Sequence, residues 1–185
     1  VCSSDLRISD DRYIIKMENE KPYGMGVFID IYPYDGLGTT EKEAVTYGMK
    51  GDRLSSLCYQ STREHFAIET TTSLFRKIIK YPIFIGSKLI GKDYFQKKLN
   101  QLVELKEYED SNYIGCVVWL SGGKKEIFLR KWFDETIMVP FEKYQFRVPK
   151  DYDEVLRHTY GDYMQLPPEK DRIGHHYFKA YRKDE

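Results

Sequence analysis

The sequence contains no apolar run long enough to cross a lipid bilayer. A spanning helix needs ~20 consecutive, predominantly apolar residues, whereas the most lipophilic stretch, residues 78–90, is interrupted by Lys80 and Lys88. An excess of one charge is also missing, because 29 Lys and Arg residues balance 29 Asp and Glu residues. The overall charge therefore gives no sign of a nucleic-acid backbone or an anionic membrane as the main partner. These absences predict a chain with no transmembrane segment and no nucleic-acid partner.

Cysteine is scarce, and one of the three cysteines lies in the opening segment, VCSSDL. These residues stand in place of an initiator Met and back-translate to GTG TGC TCT TCC GAT CT, the end of a widely used sequencing adapter. We therefore expect residues 1–6 to be a sequencing scar and residues 7–185 to be the C-terminal part of a single, longer domain. Cys58 and Cys116 have no CxxC spacing, which favours a reducing compartment and predicts a cytoplasmic location.

What the chain does contain is a succession of strand and helix patterns typical of one α+β domain. The apolar periodicity predicts helices over residues 41–64, 72–81, 87–105 and 151–160, with breaks at Pro82 and Gly86. A Thr-Thr pair is expected to cap the first helix and Gly161 the last. Strands are predicted over residues 13–17, 27–34, 136–139 and 144–148. The stretch 41–112 is then a helical insertion between sheet elements.

Two glycine-containing segments are predicted to be turns. YDGLG, at residues 34–38, follows the second predicted strand, and residues 121–124 are expected to be the turn of a β-hairpin over residues 113–133. A phosphate-binding loop is the alternative for Gly122-Gly123-Lys124, but the GxxxxGK[ST] spacing and a following helix are missing.

The stretch GVFIDIYPYDG places an aspartate at the centre of an apolar strand. Ile29 and Ile31 alternate with Asp30, so the aliphatic side chains share one face of the strand and Asp30 lies on the other. That second face is aromatic, which predicts partial burial of the carboxylate. An ionised carboxylate in such a place must be paired, hydrogen-bonded or bound to a metal. The two hypotheses are a strand-end Asp that accepts a backbone N–H and a metal ligand.

The last part of the chain concentrates histidine. His158, His175 and His176 are three of the four histidines, but their spacing and the lack of a nearby cysteine pair give a zinc site little support. Recognition of phosphate or hydroxyl groups by Arg172 and a histidine is the stronger hypothesis, and a solvated charged tail is the alternative.

An ordered tail would hold these polar groups in a fixed place. We expect Tyr160 and Met164 to anchor it by being largely buried. Arg172 or His175 should then lie within ~15 Å of Asp30, a span that one cleft can cover.

A resemblance to a known family adds to these observations. FIDIYPYDGL, together with WFDETIMVPFEKYQFRVPKDYDEVLRHTYGDYMQLPPEKDRIGHH, resembles the LicD family of phosphorylcholine transferases, and fukutin-related proteins look like distant members. The similarity runs from about Met25 to His176, and its helical part is the least diagnostic. Lys143 stands where many relatives would have a glycine.

The resemblance implies a nucleotidyltransferase-like fold in which three carboxylates hold Mg²⁺. Asp30 matches the third carboxylate, so it is the implied catalytic residue and metal ligand. The pattern of the tail predicts Tyr160, Asp162, Arg172, His175 and His176 as substrate-binding residues at the rim of the same cleft. The family's first catalytic strand, which carries the other two carboxylates, is expected upstream of this sequence. The fragment is therefore predicted to be inactive and to bind a cytidine diphosphate donor weakly or not at all.

The implied activity is transfer of phosphorylcholine, or a related phospho-substituent, from a CDP-linked donor such as CDP-choline. The implied acceptor is a hydroxyl of a cell-surface glycan, a lipopolysaccharide or a teichoic acid, and the implied place is the inner face of the cell membrane, by peripheral association. Two alternatives stay open: a nucleotidyltransferase of the same fold, and a non-catalytic carbohydrate-binding module that uses its tyrosines for stacking.

Overall fold

The computed structural model describes residues 6–17, 24–66, 73–120, 123–169, 172 and 178–183. It confirms the α+β class, with α-helices and small antiparallel sheets. These residues divide into two compact units. The first unit takes the described residues between 33 and 162, and the second takes those between 6 and 32 and between 163 and 183.

The strands are short and the helices carry most of the regular structure. In chain order the strands are β1 (Leu6–Ser9), β2 (Tyr13–Met17), β3 (Phe28–Ile31), β4 (Asp35–Gly38), β5 (Tyr113–Gly115), β6 (Phe128–Leu129), β7 (Thr136–Phe141), β8 (Tyr144–Pro149) and β9 (Phe178–Arg182). The α-helices are α1 (Glu41–Thr62), α2 (Leu74–Ile90), α3 (Lys92–Val103) and α4 (Tyr152–Tyr160), and two 3₁₀ helices span Gly123–Glu126 and Arg130–Phe133.

Helix α1 begins where the Thr-Thr-Glu sequence predicts. The Thr40 side chain accepts a hydrogen bond from the Glu43 N–H at 3.3 Å, and Glu43 Oε2 in return accepts the Thr39 N–H at 2.9 Å. The bond to Thr40 satisfies a backbone donor that the first helical turn cannot pair, and the bond to Glu43 fixes the residue that precedes the N-cap. The helix is therefore fixed at its N-terminus by local sequence.

The predicted breaks at Pro82 and Gly86 are wrong. Helix α2 runs through both residues and ends at Gly91, whose φ of +85° is a conformation that favours glycine. A proline inside a helix removes one backbone hydrogen bond, but α2 packs on α1, and its buried residues Phe84 and Ser87 directly follow Pro82. Tertiary contacts have thus overridden the local signal.

The DGLG part of the YDGLG segment is a strand, β4, and the predicted turn there is wrong. Asp35 and Gly36 pair with Gly115 and Ile114 of β5, so β4 is the edge of the antiparallel sheet β4–β5–β6. The pairing of β5 with β6 gives the predicted hairpin its antiparallel geometry. Its strands are much shorter than predicted, because a 3₁₀ helix occupies part of the connection.

The core of the first unit lies between α1, α3 and the segment 116–120. One cluster consists of Leu37, Ala44, Leu102, Val117, Leu120 and Ile127, and a second consists of Cys58, Phe95, Leu99, Cys116 and Val118. Cys116 is a buried free thiol, and Cys58 is also buried. Cys2, in the opening segment, lies outside the described residues.

The C-terminal part of the first unit follows its sequence pattern closely. Strands β7 and β8 form the predicted hairpin, in which the left-handed conformation is taken by Glu142, with φ of +53°, and not by Lys143. Helix α4 ends at Gly161, whose φ is +73° and whose N–H donates to the Arg157 carbonyl at 2.8 Å.

The second unit contains two antiparallel strand pairs, β1–β3 and β2–β9. The predicted strand over residues 13–17 is confirmed as β2. The sequence did not predict strands β1 and β9. Strand β1 begins within residues 1–6, which we expected to be a sequencing scar, and β9 lies in a tail rich in charged residues. Across the described residues of both units, no helix combines the length and the apolarity needed to cross a membrane.

Candidate functional site

Asp30 lies at the centre of β3, directly opposite Arg7 of β1. The Arg7 Nε donates to Asp30 Oδ1 at 2.6 Å, and the Tyr32 hydroxyl donates to Oδ2 at 3.4 Å. The Asp30 side chain is 29% exposed, so its predicted partial burial is confirmed. The observed partners are side chains, and the charge of the carboxylate is balanced by a guanidinium.

The face of β3 that carries Asp30 is aromatic, as the alternation predicts. The Arg7 guanidinium lies 4.3 Å from the centre of the Phe28 ring, within the range of cation–π attraction. Phe28 in turn contacts Phe178 with ring centroids 5.9 Å apart. The aliphatic face is the exposed one, with Ile29 70% exposed, so this strand is not the buried strand that its apolar composition suggests.

One carboxylate is not a magnesium site. Mg²⁺ takes six oxygen ligands in near-octahedral geometry and is usually held by more than one acidic group or by substrate phosphates. Among the residues that the structure describes, no three His, Cys, Asp or Glu side chains cluster in a way that could hold a metal ion. Asp30 could therefore supply one ligand, but the described residues do not by themselves complete a metal site.

The other predicted site residues fall in different parts of the chain. Tyr160 and Asp162 belong to the first unit and Arg172 to the second, as does Asp30. Arg172 donates its Nε to the Pro167 carbonyl at 2.8 Å. His175 and His176 lie outside the described residues, so their proximity to Asp30 stays a prediction.

The expected burial of the tail anchors is wrong. Tyr160 is 70% exposed and Met164 is 75% exposed. Tyr160 is the last residue of α4, and this short helix packs on the two 3₁₀ helices, which leaves its C-terminal ring at the surface. The apolar character of these two side chains was therefore a poor guide to their burial.

A pocket of about 300 Å³ in the first unit has a different set of polar and aromatic groups. Three aromatic side chains, Tyr113, Trp132 and His158, line it together with the ion pair formed by Glu41 and Lys124. Aliphatic side chains complete the wall: Val45, Ile127 and Leu129. This combination of rings, one acid and one base in a concave, largely apolar surface is typical of a small-molecule site.

Helix α4 places the imidazole of this pocket. The His158 Nε2–H donates to the Lys124 carbonyl at 3.0 Å, and the ring lies 5.6 Å from that of Trp132 and 5.7 Å from that of Phe128. These contacts fix the ring plane and put the proton on Nε2. His158 is therefore held as a hydrogen-bond donor at the pocket edge.

The charged pair of the pocket is balanced. Glu41 Oε1 accepts a hydrogen bond from the Lys124 Nζ at 2.9 Å, and this ammonium lowers the pKa of Glu41 below its ordinary value. Both groups are largely exposed, so each can also turn to a ligand. A zwitterion would find a partner for each of its charges here.

Sequence reasoning missed this pocket. Its polar and aromatic residues lie between positions 41 and 158 and come from different elements, so no local motif joins them. His158 was noted for its residue type, but nothing in the sequence indicated that α4 would bring it to Trp132.

Comparison with known proteins identifies the family. No family model matches the chain, and no solved structure matches it. The chain is 33% identical over 157 residues to a protein named lipopolysaccharide cholinephosphotransferase LicD from Haemophilus influenzae, a match that covers 84% of this chain. It spans 57% of that relative's length.

The relative's name describes a class of enzyme, the transferases of phosphorylcholine. An identity of this level over most of the chain agrees with the strand and tail motifs that first suggested the resemblance. The chain belongs to the LicD family.

Proposed function

We propose that the protein to which this chain belongs is an enzyme that transfers phosphorylcholine to a cell-surface glycan, with lipopolysaccharide as the first candidate acceptor. The observation that carries the proposal is the 33% identity over 84% of the chain to a lipopolysaccharide cholinephosphotransferase. The fold that we propose for the whole protein is nucleotidyltransferase-like, and its donor is CDP-choline or a similar CDP-linked compound.

The pocket beside α4 is the place that we propose for the phosphorylcholine group. A trimethylammonium is attracted to the faces of aromatic rings, which Trp132 and Tyr113 supply, and to the carboxylate of Glu41. The phosphate would then face the ammonium of Lys124. The aliphatic wall suits the methyl groups, so the pocket matches both ends of the zwitterion.

Asp30 is the metal ligand that we propose for the complete enzyme. Bound Mg²⁺ would neutralise charge on the donor diphosphate. The described residues contain no cluster of three possible metal ligands, so further ligands would come from other parts of the protein or from the donor. The proposed substrate contacts of Tyr160, Asp162, Arg172, His175 and His176 rest on the residue types of the tail and on the expectation that an ordered tail reaches the cleft.

The assay is product analysis with a full-length version of the protein, Mg²⁺, CDP-choline and a lipopolysaccharide acceptor. Release of cytidine monophosphate together with labelled choline on the glycan is the expected result. Release of pyrophosphate from a nucleoside triphosphate would instead identify a nucleotidyltransferase. Glycan binding without turnover of any donor would identify a carbohydrate-binding module and contradict the proposal.

The role of Asp30 has a matched control in the same unit. Asp30→Asn should reduce turnover by a factor of at least ~100, because metal positioning contributes several kcal/mol to transition-state stabilisation. Asp10 is also a part-exposed carboxylate paired with an arginine, Arg12 at 2.5 Å, so Asp10→Asn removes an equivalent ion pair and should leave turnover within a few fold of the wild type. Equal effects of the two substitutions would show that Asp30 has no special role.

A further inference from the structure

Helix α2 exposes its most apolar face. Leu74, Phe75, Ile78 and Leu89 are each 67–83% exposed, and the buried residues of the helix are Phe84 and Ser87. Leu74, Ile78, Ile85 and Leu89 follow spacings of four and seven residues, which places them on one side of an α-helix. The helix therefore packs on α1 with its less apolar side and presents its aliphatic side outward.

The charges of α2 are of one sign. Its ionisable residues other than tyrosine are Arg76, Lys77, Lys80 and Lys88, and it contains no acidic residue. The balanced charge of the whole chain conceals this local excess. On a helical projection Arg76 and Lys88 fall at the two edges of a broad apolar arc that runs from Leu74 to Ile83. Lys77 and Lys80 fall further round, towards Phe84 and Ser87 on the packed side, and the Lys88 ammonium also donates to the Glu64 carbonyl at 3.4 Å.

We propose that α2 lies on the surface of a membrane that contains anionic lipids, with its aliphatic face inserted at the boundary between headgroups and acyl chains. A broad apolar face bordered by lysine and arginine is the pattern of helices that lie in this interface. The flanking cations complement anionic headgroups, and their long stems allow the ammonium and guanidinium groups to reach the headgroup layer.

The positive charge of α2 favours an anionic lipid surface over a second copy of the chain as the partner of the apolar face. Each copy of α2 carries four positive charges and no negative one, so pairing two such helices gains no ion pair and is opposed by their like charge. An anionic lipid surface meets both features of the helix at once, because it supplies apolar chains to the aliphatic face and negative headgroups to its borders. The inference does not depend on the proposed enzymatic activity.

The test is flotation of the 185-residue chain with lipid vesicles. Vesicles of phosphatidylcholine with about one-third phosphatidylglycerol should bind the chain at least ~10-fold more tightly than pure phosphatidylcholine, and added salt should weaken this binding. Replacing both Arg76 and Lys77 by glutamine should weaken it by about fivefold for each charge removed. Leu89→Glu should abolish it.

Leu105→Glu is the matched control, because Leu105 is similarly exposed, at 68%, but lies outside α2. It should leave vesicle binding unchanged, and circular dichroism should show that all variants keep the wild-type fold. Lack of binding to anionic vesicles, or equal binding by the Leu89→Glu variant, would overturn the proposal. A concentration-dependent dimer that Leu89→Glu disrupts would identify a second copy as the occupant instead. If a full-length version fails to bind the same vesicles, the face is covered by the rest of the protein and the proposal is wrong.

Discussion

Helix α1 approaches the segment 116–120 so closely at Gly51 that a methyl group has no room. A Cβ at this position would lie 2.0 Å from the carbonyl oxygen of Val117 and 2.7 Å from its Cγ1 atom. Val117 is fully buried, and its carbonyl belongs to the backbone, so the carbonyl oxygen cannot rotate away. Gly51→Ala therefore has to displace the helix or the segment on which it packs.

The expected loss of stability follows from two opposing effects. Overpacking a well-packed core costs ~1–3 kcal/mol, and contact with rigid backbone puts Gly51→Ala at the upper end of that range. Replacing glycine by alanine in a helix interior raises the free energy of unfolding by ~1 kcal/mol. The net result should be a loss of about 2 kcal/mol, which for a chain of this size lowers the Tm by ~4–8 °C.

Gly86→Ala is the control, because Gly86 is also inside a helix but has no atom within 4 Å of the position of a Cβ. It should raise stability by ~0.5–1 kcal/mol through helix propensity alone. The measurement is thermal and urea unfolding followed by circular dichroism for both variants. If Gly51→Ala were as stable as Gly86→Ala, the close packing of α1 on Val117 would be refuted.

Three further predictions concern the helix start and the ligand sites. Thr40→Ala removes the N-cap of α1 and should cost ~1 kcal/mol in urea unfolding; Thr46→Ala, at an exposed position in the same helix, should cost much less. The Lys106 ammonium and the Thr39 N–H lower the pKa of Glu43 to about 2. Because folding depresses the pKa of Glu43, the ionised carboxylate should stabilise the fold above pH ~4.5, and this stabilisation should be lost as the pH falls towards 2. The Tm of Glu43→Gln should therefore lie below that of the wild type at pH 6 and converge with it near pH 2. Calorimetry of the 185-residue chain with Mg²⁺ and CDP-choline should show no tight binding site. In a full-length version, Trp132→Leu should raise the KM for the donor by about tenfold, whereas Trp119→Leu should leave this KM unchanged. Micromolar binding by the short chain, or equal effects of the two tryptophan substitutions, would contradict these expectations.

The elements that could be predicted from sequence are those whose ends are fixed by neighbouring residues. Thr40 and Gly161 cap their helices through bonds to residues three or four positions away, and the β7–β8 hairpin closes over two residues. Strand β4 could not be predicted in the same way, because its DGLG sequence becomes a strand only by pairing with β5, far along the chain. The pocket at Trp132 likewise depends on contacts between distant segments.

Asp30 shows what the alternation of residues along a strand can predict about burial and what it cannot. The period of two correctly placed Asp30 on the face opposite Ile29, but it could not indicate which face would be covered, because coverage depends on what packs on the strand. Here Arg7 and Phe28 half-bury the carboxylate, while Ile8 and Ile29, directly opposite each other on β1 and β3, are exposed.

The ion pair at Asp30 does not argue against a metal ligand at this position. Both side chains are about one-third exposed, and pairs of this kind contribute only ~0–1 kcal/mol, because water solvates the separated charges nearly as well. A divalent cation would carry twice the charge of the guanidinium and bind the carboxylate oxygens directly. Arg7 is therefore a weak competitor, and its long side chain could turn to solvent if a cation took the carboxylate.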